Sequence, residues 1–290
     1  MSPLFARMAV AGVGLIGGSL ALAARAAGLV GEVVGLGRSE ANLRVARDRG
    51  IVDRVATDVA AAAAGADVVV LAAPVGACAA LADAFRPHVA ADTILTDVGS
   101  VKASLVAALE TRWPDSGRVV GAHPIAGSEA AGAAAARADL FRGRLCILTP
   151  TPRTRPEALA RVRALWRGVG ARTEEMDATV HDEILARVSH LPHVVAYSLM
   201  RALGDAHVAG RPVLEYAGSG LRDTTRIAGS SAELWRDIAL ANAPALRGAI
   251  AELRAALDHL DALIGAGAAD ELLAALDTAR ARQRALEVSR

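Results

Sequence analysis

The chain has 290 residues, 53% of them hydrophobic, with 32 basic against 31 acidic side chains and a net charge of +1. That much apolar material excludes a disordered chain and is enough for two modest domains. The balanced charge, with no basic stripe interleaved with aromatic residues, argues against a nucleic-acid partner.

Chain order begins with "MSPLFARMAVAGVG", which lacks the apolar core of a signal peptide and runs almost at once into a strand. No stretch of about 18 apolar residues is free of charge or glycine. A cytoplasmic protein without a membrane partner is expected. The two cysteines, Cys78 and Cys146, lie far apart without metal or redox spacing and read as buried free thiols.

Over the first half, the candidate strands are "RMAVAGV", "EVVGL", "ADVVVLAA", "TILTDVG", "RVVGAH" and "LCILTP". Each is followed by a stretch long enough for a helix, the rhythm of repeated βαβ units in a mostly parallel, doubly wound sheet. A last strand, "GARTEEM", completes it. Beyond Asp177 the apolar residues recur at three- and four-residue spacing, broken by Gly204, Gly210, Pro212 and "AGSGLRD". The fold class is therefore α/β, a Rossmann-type domain over residues 1–177 followed by an all-α domain over 178–290. No Ser/Pro-rich linker separates the halves, so an active site in a cleft between them is expected.

"GVGLIGGS", Gly12 to Ser19, follows the first strand and opens the first helix, the context in which a glycine-rich motif binds a dinucleotide. Gly12 allows the tight turn, Gly14 lets a pyrophosphate approach the backbone beside Leu15 and Ile16, and Gly17 lets the helix pack on the strand. The pyrophosphate would rest on amide groups at the helix N-terminus. The alternative is a glycine turn that binds nothing. The second strand ends "GLGRS", with Arg38 and Ser39 where an acidic residue would select NAD. That pair suits a 2'-phosphate, so NADP is accepted or preferred; otherwise Arg38 is a solvated helix-start residue and NAD binds without the carboxylate. Pro74 and Val75, in "LAAPVG", would form an apolar wall under the dinucleotide.

"TDVGSVK" ends a strand with Ser100 and Lys102, and "GAHPIAGSE" ends the next with His123, so both loops reach the carboxyl edge of the sheet. Taken singly, Ser100 is a helix cap and His123 a turn residue; together they supply a hydroxyl and an imidazole to one crevice. Lys102 is the only lysine among the 32 basic residues, which points to a local need for an ammonium group. In the second half, "SHLPHVVAYS" places His190 and His193 one turn apart around Pro192, which should kink the helix and turn His193 into the cleft. His181, His190 and His193 lack a supporting carboxylate or cysteine signature, so no metal is expected. Arg226, in "GSGLRDTTRIAGS", offers a fork for a substrate carboxylate or, alternatively, a surface ion pair.

The ordered set "GVGLIGGS", "DVGSVK", "GAHPIAGSE", "SHLPHVVAYSL" and "GLRDTTRIAGS" followed by "LWRDI" resembles the prephenate and arogenate dehydrogenases of tyrosine biosynthesis. The resemblance runs from Met8 to past Trp235. It implies an NAD(P)-dependent oxidative decarboxylation of prephenate to 4-hydroxyphenylpyruvate, or of arogenate to tyrosine, with His123 as catalytic base and Ser100 hydrogen-bonded to it. By the same resemblance Arg226 and His193 bind the substrate, and Glu129, Asp182 and Trp235 shape its pocket. Glu129 would answer to the side chain that differs between prephenate and arogenate. It also implies a homodimer of intertwined helices through the second half. With little chain beyond the helices, tyrosine feedback is expected to act by competition at the active site.

Two other readings stay open at this stage. A β-hydroxyacid dehydrogenase shares the architecture but relies on a lysine in the helical half, where this chain has none. A dinucleotide-sensing protein would need no proton acceptor beside the nicotinamide.

Overall fold

The computed structural model describes residues 2–113, 117–127 and 130–288. The chain divides into two compact units, Met1–Ala243 and Pro244–Arg290.

The first unit is built on an eight-stranded sheet. Its strands are β1 (Phe5–Ala11), β2 (Val30–Leu36), β3 (Arg54–Val55), β4 (Val68–Leu71), β5 (Ile94–Asp97), β6 (Val119–Pro124), β7 (Leu145–Thr149) and β8 (Arg172–Glu175). Their order in space is 3-2-1-4-5-6-7-8, and every pairing is parallel except β6 with β7. The order reverses between β1 and β4, which opens a crevice at the carboxyl ends of those strands, the switch point where doubly wound sheets bind ligands.

Strand periodicity explains the two-sided core. Met8 and Val10 of β1 join the cluster on one face, while Ala9 and Ala11 join the cluster on the other. A strand buried on both faces reads as the continuous apolar run seen in "VVVL" of β4, all four residues of which are buried. The helices that cover the sheet are α1 (Leu15–Ala26), α2 (Glu40–Asp48), α3 (Val59–Ala63), α4 (Val75–Phe85), α5 (Ala103–Arg112) and α6 (Pro156–Gly168). Cys78 and Cys146 are buried free thiols, and burial pushes the Cys78 thiol up to about 12.

After β8 the first unit is mostly helical, with α7 (Ala178–Leu185), α8 (Leu191–Gly204), α9 (Ser219–Thr225) and α10 (Ala232–Ala241). Asp177 caps α7 by accepting from the amides of Thr179 and Val180. One small hairpin, β9 (His207–Val208) with β10 (Arg211–Pro212), interrupts the helices. Its turn places Ala209 and Gly210 at positive φ, the backbone geometry that fits a two-residue connection. A π-helical turn, Ala186–His190, joins α7 to α8 without a break, and Pro192, which has no amide to donate, follows it in the first turn of α8.

The second unit holds most of α11 (Ala243–Ala266) and all of α12 (Ala269–Val288), joined through Gly267 at positive φ. Its apolar residues Leu257, Ile264, Leu273 and Leu276 are all exposed. No helix among the described residues is long and apolar enough to cross a membrane.

Candidate active site

The glycine turn is shaped by close approaches. Gly12 has a φ of +105°, and a Cβ there would stand 2.3 Å from the carbonyl oxygen of Ala72. At Gly17 a Cβ would stand 2.3 Å from the carbonyl oxygen of Gly12, so a side chain at either position would push strand, turn and helix apart. Gly14 differs. It caps α1, and a Cβ there would meet nothing within 4 Å, which leaves open room at the helix N-terminus for an anionic group. Leu15 and Ile16 pack against the core behind it.

A cleft of about 1010 Å³ opens from this turn, and its lining includes Gly12, Gly14, Arg38, Ser39, Pro74 and Asp237. Arg38 and Pro74 are exposed. The Ser39 hydroxyl accepts from the Asn42 amide at 3.2 Å and so caps α2, which leaves its own proton to donate. Sequence reasoning missed the clamp on the far wall. The Asn42 side chain donates to the Val13 carbonyl at 2.7 Å and accepts from the Ala133 amide at 2.7 Å. Arg49 donates to the carbonyls of Ala134 at 2.8 Å and Ala136 at 3.1 Å. These bonds hold the segment around Gly132 against the glycine turn.

His123 and Ser100 are not among the residues lining that cleft; they lie at the carboxyl ends of β6 and β5. His123 is only 8% exposed. Burial, then the nearby Lys102 ammonium and the His181 and His190 rings, hold its pKa well below the usual histidine range. Its Nδ1 lies 2.8 Å from His181 Nε2, and His181 Nδ1 lies 2.8 Å from Asp182 Oδ1. Ser100, which the resemblance gives as the hydrogen-bond partner of His123, makes no such bond among the described residues; His181 takes the Nδ1 position. Neither His181 nor Asp182 was read as a partner of His123, since α7 lies 58 residues downstream of it. The signal available was a His-Asp pair just after a helix cap.

Lys102 is fully buried and pairs with the equally buried Asp97. The same carboxylate accepts from the Gly99 amide at 2.7 Å and the Ala122 amide at 3.2 Å, so it ties the ends of β5 and β6 together under His123. The lone lysine of the sequence thus has a structural reason. A guanidinium fork would not fit where a compact ammonium sits at 0% exposure.

His193 and Trp235 come together, their rings stacked at 3.5 Å and 20°. His193 Nδ1 donates to the Ser189 carbonyl at 2.9 Å, and burial lowers its pKa. Arg226 opens a short 3-10 turn, Arg226–Gly229, and is exposed. Glu129 lies outside the described residues. His181, His190 and His193 form no metal cage, and among the described residues no group of three His, Cys, Asp or Glu is arranged to hold one.

These buried imidazoles make a pH prediction. Burial lowers His190 from 6.5 to about 4, so below pH 6.5 the unfolded chain takes up a proton that the folded chain refuses. Stability is then lost as pH falls from 6.5 toward 4, with His123 adding in the same direction. Urea denaturation at pH 7.5 and pH 4.5 should differ by roughly 2 to 3 kcal/mol from His190 alone. His190→Gln should flatten that slope.

A doubly wound sheet with this glycine turn, together with a buried neutral imidazole at its carboxyl edge, defines the class of nucleotide-dependent dehydrogenases. Comparison with known proteins gives the particular family. The family model described as "Prephenate dehydrogenase, nucleotide-binding domain" matches residues 20–175, and "Prephenate dehydrogenase, dimerization domain" matches residues 177–278. The chain is 39% identical over 244 residues to the cyclohexadienyl dehydrogenase of Zymomonas mobilis, covering 84% of this chain and 83% of that one. It is similar to the crystal structure of prephenate dehydrogenase from Aquifex aeolicus in complex with hydroxyphenyl propionate and NAD+, with a TM-score of 0.93, 35% identity, and coverage of 97% and 98%. The structure of Synechocystis arogenate dehydrogenase matches with a TM-score of 0.82, 31% identity, and coverage of 97% and 99%. The chain belongs to the prephenate dehydrogenase family and is an oxidoreductase.

Proposed function

We propose that this chain catalyses the NAD(P)-dependent oxidative decarboxylation of prephenate to 4-hydroxyphenylpyruvate, or of arogenate to tyrosine, with His123 as the base. The observation that carries this reading is the buried His123 imidazole at the crevice edge, held neutral and bonded at Nδ1, with Nε2 left to act. A dinucleotide held at the glycine turn would supply the acceptor for the hydride of the hydroxyl-bearing ring carbon. His123 takes the hydroxyl proton as that C–H bond breaks, carbon dioxide leaves from the opposite ring carbon, and the ring becomes aromatic. The imidazolium then returns its proton to the phenolic oxygen, so no net proton is released.

The substrate carries two carboxylates, for which Arg226 and His193 are the proposed partners, with Trp235 as a wall and Glu129 facing the variable side chain. Ser100, on the neighbouring loop, is the proposed second catalytic residue. Arg226→Ala should raise the substrate KM by on the order of tenfold or more with a smaller change in kcat, since ground-state and transition-state binding are lost alike. Unaltered saturation would assign the carboxylate elsewhere, with Arg222 the next candidate.

Gly12, Gly14, Leu15, Ile16 and Gly17 form the proposed pyrophosphate turn, with Pro74 beneath the dinucleotide. Arg38 and the free proton of Ser39 support acceptance of NADP as well as NAD. We further propose a cytoplasmic homodimer, with residues 1–177 as the nucleotide half and 178–290 as the substrate and dimerisation half. The exposed Leu257, Ile264, Leu273 and Leu276 support it, and a stable monomer on sedimentation at micromolar concentration would remove it.

The deciding experiment is initial rate by nicotinamide absorbance, crossing prephenate and arogenate with NAD and NADP. Turnover in any combination supports the reading, and the best one fixes both specificities. Silence in all four, from folded protein that still binds a dinucleotide, would overturn it.

A further inference from the structure

Asp182 is tied down on every side. Its Oδ1 accepts from the Lys102 amide at 2.7 Å and its Oδ2 from the Ala103 amide at 2.8 Å, so the carboxylate caps the N-terminus of α5. The positive end of that helix favours the anion. Oδ1 is also 2.8 Å from His181 Nδ1. A carboxylate has no proton to give, so Nδ1 of His181 carries one and donates it. A neutral ring that donates from Nδ1 presents a lone pair at Nε2. Its partner at 2.8 Å, Nδ1 of His123, must then be the donor.

We propose that His181 and Asp182 are positioning residues that lock His123 in the tautomer protonated at Nδ1, leaving Nε2 as the proton acceptor of that ring. The inference rests on His123 being the base. Each ring passes the same instruction to the next: the charge of Asp182 sets His181, and His181 sets His123. His181 is fully buried and Asp182 only 4% exposed, so water cannot supply a competing donor. When His123 takes the substrate proton at Nε2, its Nδ1–H bond to His181 becomes charge-assisted, with the Asp182 carboxylate one ring behind. The logic is that of the buried carboxylate behind the base histidine of serine proteases, with one imidazole inserted.

A second arm hangs from the same residue. The Asn242 amide donates to the Asp182 carbonyl at 2.8 Å, which fixes the amide orientation, and its other proton is directed at His190 Nδ1 at 3.1 Å. His190 therefore carries its proton on Nε2. Asp182 thus orients the His181 ring with its carboxylate and the His190 ring of the π-helical turn through its backbone.

Nitrogen-15 spectra of histidine-labelled protein test the tautomer directly, with the His123 signals assigned by their loss in His123→Asn. The wild type should show a protonated Nδ1 and an unprotonated Nε2 on His123; the reverse overturns the proposal. His181→Phe, which keeps the Asp182 cap on α5, should lower kcat on the order of 10- to 100-fold while substrate KM and dinucleotide affinity stay within about twofold. His181→Gln, whose amide oxygen can accept, should recover part of the loss. Wild-type kcat in His181→Phe would overturn the relay while leaving the base intact if His123→Asn is inactive; wild-type turnover in His123→Asn would instead remove the base itself. Should His181→Phe fail to fold, the wild-type spectrum still decides.

Discussion

His123→Asn will lower kcat by a factor on the order of 10² to 10⁴ while leaving fold and dinucleotide affinity in place. The asparagine side chain overlays the Nδ1 side of the ring and can still bond His181, so the buried cluster keeps its packing. What it loses is Nε2. His123 also lies outside the lining of the nucleotide cleft, so cofactor binding has no reason to change. Because burial and Lys102 hold the imidazole neutral, the acid limb of kcat/KM in the wild type should fall below pH 6.5 rather than at it. Steady-state kinetics and a dinucleotide titration check both parts. Unchanged turnover would mean that the proton goes elsewhere.

The second large effect is expected at Lys102. Its ammonium and the Asp97 carboxylate are both completely buried. Lys102→Met leaves that carboxylate with two amide donors and no countercharge, and breaking a buried pair from one side costs about 3 to 5 kcal/mol. Asp97 also joins β5 to the residue before His123, so activity should fall with stability. The double replacement Asp97→Asn with Lys102→Met should recover much of the loss, since no charge is then left buried alone. Lys102→Arg should not rescue, because the site has no room for a planar fork. Urea denaturation measures all three, and a loss below about 1 kcal/mol in Lys102→Met would mean that the pair is not structurally required.

Much of this fold was legible in the sequence because its signals are local. Strand runs such as "VVVL", the glycine turn and the change to helical spacing after Asp177 are each read within a dozen residues. The ends of β5 and β6 could be assigned to one crevice by topology alone. The partners within the crevice could not. Asp182 reaches the Lys102 amide across 80 positions and Asn242 reaches Asp182 across 60, and no periodicity encodes such pairings. The resemblance implied a bond from Ser100 to His123, whereas the ring beside its Nδ1 comes from α7. The lone lysine carried real information, but only the buried Asp97 explained it. The hairpin at 207–212 left only its glycine and proline as a trace.

The antiparallel step from β6 to β7 separates two evolutionary tasks. His123 pairs with Ile147 and Pro124 with Cys146, so the chain leaves and re-enters the sheet at the same end. A parallel successor would have to carry the chain back along the whole sheet, and its length would be set by that crossing. Here residues 125–144 begin and end beside the base. Their length is set by no crossing of the sheet, and within them Ala133, Ala136, Leu140 and Phe141 hold the segment in the core. Change between those anchors therefore leaves the imidazole and the nucleotide turn where the sheet holds them.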